Sequence, residues 1–231
     1  MADSTPYSAR WTGPTLITKG HDTTVTVDIE HGGSNPTVSA VSFSLYSPSG
    51  EAIVDGATAS ESGGTLSYTV TAASMSSQAY AQGWAVKFSA TIAGDVHDFY
   101  NDAALCLARL YCPIGTTDLT NRYSRLAALQ ATGASDLQKF ITDAWTELTA
   151  RLYSEALPFW RMRTPSSLRP WLIAQAAVFA LDDLALTLGD GGPYREEARR
   201  IEESLPRLYN KIRSLMDDNE DNNLDEVHQP A

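Results

Sequence analysis

The chain has 231 residues, of which 43% are hydrophobic and 19% charged, and a formal net charge of −11. That balance excludes a disordered polymer and gives room for one large or two small domains, each with its own core. The negative charge also excludes a protein that grips nucleic acid through massed Lys and Arg on phosphate.

The charge is unevenly spread. Residues 1–100 hold three basic side chains, Arg10, Lys19 and Lys87, against nine acidic ones. Residues 101–216 nearly balance, with fourteen basic and thirteen acidic, and the last fifteen residues carry six acids and no Lys or Arg. The N-terminus MADSTPYSAR lacks an apolar h-region, so no secretory signal is expected. Cys106 and Cys112 are accordingly expected to be reduced thiols, with no ligands nearby to make a zinc site.

Residues 1–115 read as a β domain. Apolar side chains alternate at Val25, Val27, Ile29; at Val41, Phe43, Leu45; at Leu66, Tyr68, Val70; and at Trp84, Val86, Phe88, Ala90, Ile92. The opposite positions are mostly Ser and Thr, and the turn formers HGGSNP (31–36), SPSG (47–50) and ESGG (61–64) separate the runs. This pattern predicts an antiparallel β-sandwich of immunoglobulin-like type, although a Cys…Trp…Cys signature is absent. Residues 103–110 fit either a last strand or a short helix, and CPIG (112–115) ends the domain.

From Asp118 the period becomes helical, predicting an α-helical bundle over 116–216 and an α+β chain overall. Asp118 is the expected N-cap of a helix carrying Leu119, Tyr123, Leu126 and Leu129, which Gly133 ends. Ser135 and Gln138 form a capping-box pattern ahead of the stripe Leu137, Phe140, Ile141, Ala144, Leu148 and Leu152. The run WLIAQAAVFAL (171–181) is short and followed at once by Asp182 and Asp183, so it reads as the buried central helix rather than a membrane span. A last helix opens at Pro193. Its apolar positions Tyr194, Ala198, Ile201, Leu205, Leu208, Ile212 and Leu215 alternate steps of four and three, a heptad seam suited to packing between subunits. Pro206 should kink or split it near Leu205. Residues 217–231 are an acidic, flexible tail by composition.

No motif points to catalysis or a cofactor. The tail places Asp217, Asn219, Asp221, Asn223 and Asp225 at alternate positions, but an EF-hand counted from Asp217 needs Gly where Asn222 stands and Glu where His228 stands. His21, His31, His97 and His228 are scattered without ligand spacing. Asp182 and Asp183 point about 100° apart on a helix and make no carboxylate dyad. Arg161, Arg163 and Arg169 form the one basic patch, fit for a solvated loop, an acidic partner or phosphate.

The second half resembles the head-to-tail connector, or adaptor, proteins of tailed bacteriophages and gene transfer agents. The residues that carry the resemblance are DLTNRYSRL (118–126), LQKFITDAWTELTARL (137–152), LRPWLIAQAAVFALDDLAL (168–186) and the final stretch 194–226. The resemblance implies a non-enzymatic virion protein of the neck, assembled in the host cytoplasm as a homo-oligomeric ring, commonly twelve-fold. It implies docking beneath a portal protein, contact with the next neck or tail protein (a stopper or tail terminator), no cofactor or metal, and no membrane. DNA would pass through the channel without specific binding. On this basis Leu224, Asp225, Glu226, Val227 and His228 are the portal-docking candidates, and Ile201, Leu205, Leu208, Ile212 and Leu215 the ring-packing ones. The alternative reading is a surface module whose β-sandwich binds glycan or protein on a helical stalk.

Overall fold

Alternating apolar and polar side chains suit a pleated ribbon with one covered face, and the period-two runs form strands accordingly. A computed structural model describes residues 7–127, 136–162, 164–187 and 192–213. The chain is a mixed α+β protein that divides between Arg109 and Leu110 into a β unit, Met1–Arg109, and a helical unit, Leu110–Ala231.

The β unit contains β1 (Ser8–Arg10), β2 (Thr15–Thr18), β3 (Thr23–Glu30), β4 (Val38–Tyr46), β5 (Ala52–Thr58), β6 (Ser60–Ser62), β7 (Thr65–Val70), β8 (Ala81–Ile92) and β9 (Asp95–Cys106). They form two sheets, β1-β3-β7-β6 and β2-β9-β8-β4-β5. Pairing is antiparallel except that β2 runs parallel to β9, so the second sheet is mixed. The cause lies at residues 11–14, where the chain leaves β1 in one sheet and joins the other. Gly13 takes φ 105° there, and the Asn101 carboxamide fixes the crossing by donating to the Gly13 carbonyl at 2.8 Å and Thr15 Oγ1 at 3.2 Å.

Of the expected inward positions, Val25, Val27, Ile29, Phe43, Leu45, Leu66, Val70, Trp84, Val86, Phe88, Ala90 and Ile92 are buried while Val41 and Tyr68 are half-buried against them, and both sheets contribute to one apolar cluster. Phe43 sits at its middle, stacked on Tyr68 at 4.4 Å and edge-on to Phe88 at 5.0 Å. Burial of each such ring stabilises the unit by about 1.5–3 kcal/mol. Ser44 is also buried, on the opposite face of β4. A bulge in β5 meets it: Gly56, at φ 59°, donates its N–H to Ser44 Oγ at 3.0 Å.

Of residues 103–110, 103–106 form the end of a strand and 107–110 are neither strand nor helix. β9 pairs with β8 as far as Leu105 and, over Ala103–Cys106, also with β2, so its end is an inner strand of the sheet, and Ala103, Ala104, Leu105 and Cys106 are all buried although they alternate between its two faces. Two-sided burial removed the alternation a sequence reader looks for.

The helical unit holds α1 (Thr116–Arg122), α2 (Leu137–Ser154), α3 (Arg169–Thr187), α4 (Gly192–Glu202) and α5 (Leu205–Arg213), with short 3-10 turns at Phe159–Arg161 and Pro165–Leu168. Gly115, not Asp118, is the N-cap of α1; Asp118 sits three residues in, and its carboxylate accepts the Gly115 N–H at 2.9 Å. Tyr123 is extended and interrupts the expected continuous helix, though Leu119 and Leu126 are both buried as anticipated. Asp136 caps α2 by accepting from Gln138 N–H at 3.0 Å, in place of the expected Ser135, which lies outside the described residues. The whole stripe Leu137, Phe140, Ile141, Ala144, Leu148 and Leu152 is buried.

α3 is the centre of this unit. With its preceding turn, Pro165–Thr187, it is long and apolar enough by length and composition to cross a bilayer, longer than the run 171–181 suggested. Its side chains go elsewhere: Trp171, Leu172, Ala176, Ala177, Leu181 and Leu184 are buried against α2, α4 and α5. Pro206 acts as expected in kind. The last helix breaks at Glu203 and Ser204, leaving Pro206 as the second residue of α5, where its missing N–H has no intrahelical acceptor to lose.

Candidate assembly surface of the helical unit

The surface is built on α4 and α5. α4 lies against Arg125, whose guanidinium donates to the Pro193 carbonyl at 3.2 Å, pairs with Glu197 at 3.2 Å and covers the Tyr194 ring at 5.5 Å. Its outward face is a ladder of Glu196, Arg199, Arg200 and Glu203 at i,i+3 and i,i+4 spacing, pairs worth about 0.3–0.5 kcal/mol each when exposed.

α5 is pinned by Tyr209. Its ring is buried, lies 3.7 Å from the Arg151 guanidinium and 6.4 Å from the Trp171 ring, and its hydroxyl donates to Glu155 Oε2 at 3.0 Å. Arg151 Nε donates in turn to Glu155 Oε1 at 2.8 Å. A cation over an aromatic face with its charge also hydrogen-bonded is a firm anchor. Sequence periodicity did not reveal it, because Tyr209 is off the heptad and Arg151 and Glu155 looked like solvated helix charges.

This anchoring sorts the ring-packing candidates. Ile201, Leu205 and Leu208 are half-buried and partly presented to solvent. Ile212 is only 1% exposed and belongs to the core of its own unit, so it is not a surface side chain of this chain. The helix break further means that the seven positions do not form one unbroken seam. Leu215 and the portal-docking candidates Leu224, Asp225, Glu226, Val227 and His228 lie outside the described residues.

Two clefts flank the α4–α5 break. One, of about 280 Å³, is lined by Glu147, Arg151, Trp171, Gln175, Leu205 and Pro206 among others. Within it Gln175 Nε2 donates to Glu147 Oε2 at 3.2 Å, and partial burial pushes the Glu147 carboxyl up, opposed by the Arg151 charge. The other, of about 210 Å³, is lined by Arg122, Tyr123, Arg169, Pro170, Ile173 and Leu208 with Ala174 and Ser204. The groups gathered here are binding groups: guanidinium ions, ring faces, a carboxamide and aliphatic side chains.

Among the described residues the expected basic patch is not gathered. Arg169 is turned inward to Asp118 and Pro113, Arg161 is half-buried in its 3-10 turn, and Arg163 lies outside the described residues. Asp182 and Asp183 are both exposed on α3. The thiols are poor nucleophiles: burial pushes Cys106 up to about 12 and raises Cys112 too, partly offset by its bond to the Ile114 backbone. Among the described residues no group of three His, Cys, Asp or Glu side chains gathers as a metal site.

No protein-family description matches the chain. No curated protein matches it. Similar solved structures include an engineered protein at 21% identity, covering 41% of this chain and 18% of that one with a TM-score of 0.28. A DUF4785 family protein from Legionella pneumophila is similar at 11% identity, over 40% of this chain and 26% of that one, TM-score 0.30. A beta-glucosidase from Listeria innocua, crystallised with glucose, is similar at 13% identity, over 43% and 16% of the two chains, TM-score 0.25. The chain thus spans less than a third of each of these proteins, and likenesses of this size carry no argument about function.

Proposed function

We propose that the chain is a structural neck protein of a tailed bacteriophage or gene transfer agent, an adaptor that assembles as a homo-oligomeric ring beneath a portal protein and contributes to the DNA channel. The observation that carries this reading is the half-buried row Ile201, Leu205 and Leu208 on a helix pair held firmly from behind by Tyr209 and Ile212. Such a row is completed by the flank of a neighbouring copy in head-to-tail packing, which closes as a ring. The acid-rich C-terminal residues, with Leu224 and Val227 as their apolar side chains, are the portal-docking segment. Net negative charge suits a channel that lets DNA pass without retaining it, by repulsion.

The strand orders β1-β3-β7-β6 and β2-β9-β8-β4-β5, over one shared core, support reading the β unit as an immunoglobulin-like sandwich attached to the ring. Truncation after Met216 is the test. The shortened protein is expected to fold and form rings but to fail to join portal-containing heads; normal head completion by that variant contradicts the docking role.

A second reading, recognition of glycan or protein by the β unit, is favoured by one observation. Val96 and Tyr100, on the same face of β9, are 69% and 60% exposed beside the Asp98 carboxylate, which accepts from Ser89 at 2.5 Å and pairs with Lys87 at 3.7 Å. Binding to a glycan array by a fragment ending at Arg109, which keeps β9 whole, would support this reading; a fragment that binds nothing would remove it.

A further inference from the structure

We propose that the acidic stretch 217–221 seats on its own chain, in the cleft between Arg122 and Leu208. That cleft is lined by the aliphatic Pro170, Ile173 and Leu208 and by two arginines, Arg122 and Arg169. The two are not equivalent. Arg169 is already held by Asp118 at 2.5 Å and the Pro113 carbonyl at 2.7 Å. Arg122, at the end of α1, is exposed, and among the described residues no carboxylate or carbonyl holds its guanidinium. An uncompensated cation beside aliphatic side chains is a site for an acidic segment that also carries apolar side chains.

The chain supplies such a segment at the right place. The described residues end at Arg213, five positions beyond Leu208. Residues 214–231 then bring six acids, no Lys or Arg, and the apolar Leu215, Met216, Leu224 and Val227. Five helical residues rise about 7–8 Å. An extended return at about 3.4 Å per residue covers that distance in three or four residues. The stretch 217–221, with Asp217, Asp218, Glu220 and Asp221, is the first acidic run able to reach Arg122. The inference goes beyond the neck assignment and does not depend on it. If both hold, the seated segment is withheld from the portal until docking displaces it.

Amide hydrogen exchange on the full-length protein, without portal, tests this. Residues 217–221 are expected to exchange roughly tenfold more slowly than an unprotected chain, with the protection falling as salt is raised. Arg122→Glu should return them to the unprotected rate, and Arg122→Gln should do so in part, while exchange across Leu137–Ser154 stays unchanged and reports an intact fold. Unprotected exchange in the wild-type chain, or protection indifferent to Arg122→Glu, overturns the proposal. Protection that disappears on about hundredfold dilution assigns the segment to the cleft of a second copy and overturns the intramolecular seating.

Discussion

The Arg169 guanidinium donates to Asp118 Oδ1 at 2.5 Å while the same carboxylate accepts the Gly115 N–H through Oδ2 at 2.9 Å, so one acid both caps α1 and receives the first residue of α3. Asp118→Ala removes a cap and an ion pair together. The expected cost is about 1–2 kcal/mol, read as a loss of roughly 4–8 °C in Tm per kcal/mol for a unit of this size. Arg169→Ala should cost less, below about 1 kcal/mol, because both side chains are partly open to solvent. A double-mutant cycle that finds no coupling contradicts the shared role.

Two alanines occupy backbone conformations that favour other residues, and replacing them should stabilise. Ala93 (φ 53°) and Gly94 (φ 95°) form the two-residue loop between β8 and β9, the geometry of a type I′ turn that prefers Asn-Gly. Ala156 (φ 52°) follows the C-cap of α2, where Leu157 N–H reaches the Leu152 carbonyl at 3.2 Å and Ala156 N–H the Tyr153 carbonyl at 3.1 Å, a Schellman ending that prefers Gly. Ala93→Asn and Ala156→Gly are each expected to gain about 0.5–1 kcal/mol in chemical denaturation. A loss in both would mean that the backbone there is not left-handed.

The two thiols should differ in reactivity. Cys106 is buried with its thiol pushed up to about 12, so native protein should leave it unmodified by a thiol reagent at neutral pH. Cys112 is half-buried, raised less, and should react slowly. Denaturant should expose both. Rapid modification of two thiols in native protein contradicts the burial of the end of β9.

How much of this was legible follows from which physical signal each element leaves. Val25, Val27, Ile29 and the Trp84–Ile92 alternation announce strands covered on one face, and the α2 stripe announces a helix covered on one side, so both were readable. The end of β9 was not, because Ala103, Ala104, Leu105 and Cys106 are buried on both faces and leave no alternation. β1, β2, β5 and β6 are short or polar and take their conformation from pairing partners rather than from their own residues. The boundaries of α1 and α2 slipped because two residues near each start are plausible caps, Gly115 or Asp118 for α1 and Ser135 or Asp136 for α2, and only the three-dimensional ending decides between them. The cluster Arg151, Glu155, Tyr209 joins two helices 54 positions apart, a distance that no local pattern reports.

Glu147 gives a pH dependence with a definite sign. Burial raises its carboxyl from 4.5, opposed by Arg151, so the folded state holds this proton more tightly than the unfolded one. The stabilisation it contributes is present below the unfolded value and is lost as pH rises through the folded value. Glu147→Gln keeps an acceptor for Gln175 and should raise stability slightly at neutral pH, by no more than about 0.5 kcal/mol after allowance for solvent screening. That advantage should shrink as pH falls toward the unfolded value. A mutant whose advantage grows in acid would show that Arg151, not burial, governs the site.

In the proposed ring the half-buried row Ile201, Leu205 and Leu208 is completed by other copies of the chain around a portal, whereas in a monomer it stays open to solvent. Native mass measurement of the purified protein, alone and mixed with a portal protein, decides between these. A closed ring of many copies is expected with portal present, and its loss when Leu205 and Leu208 are both changed to Glu in a protein that still folds. A strict 25.0 kDa monomer under both conditions would contradict it.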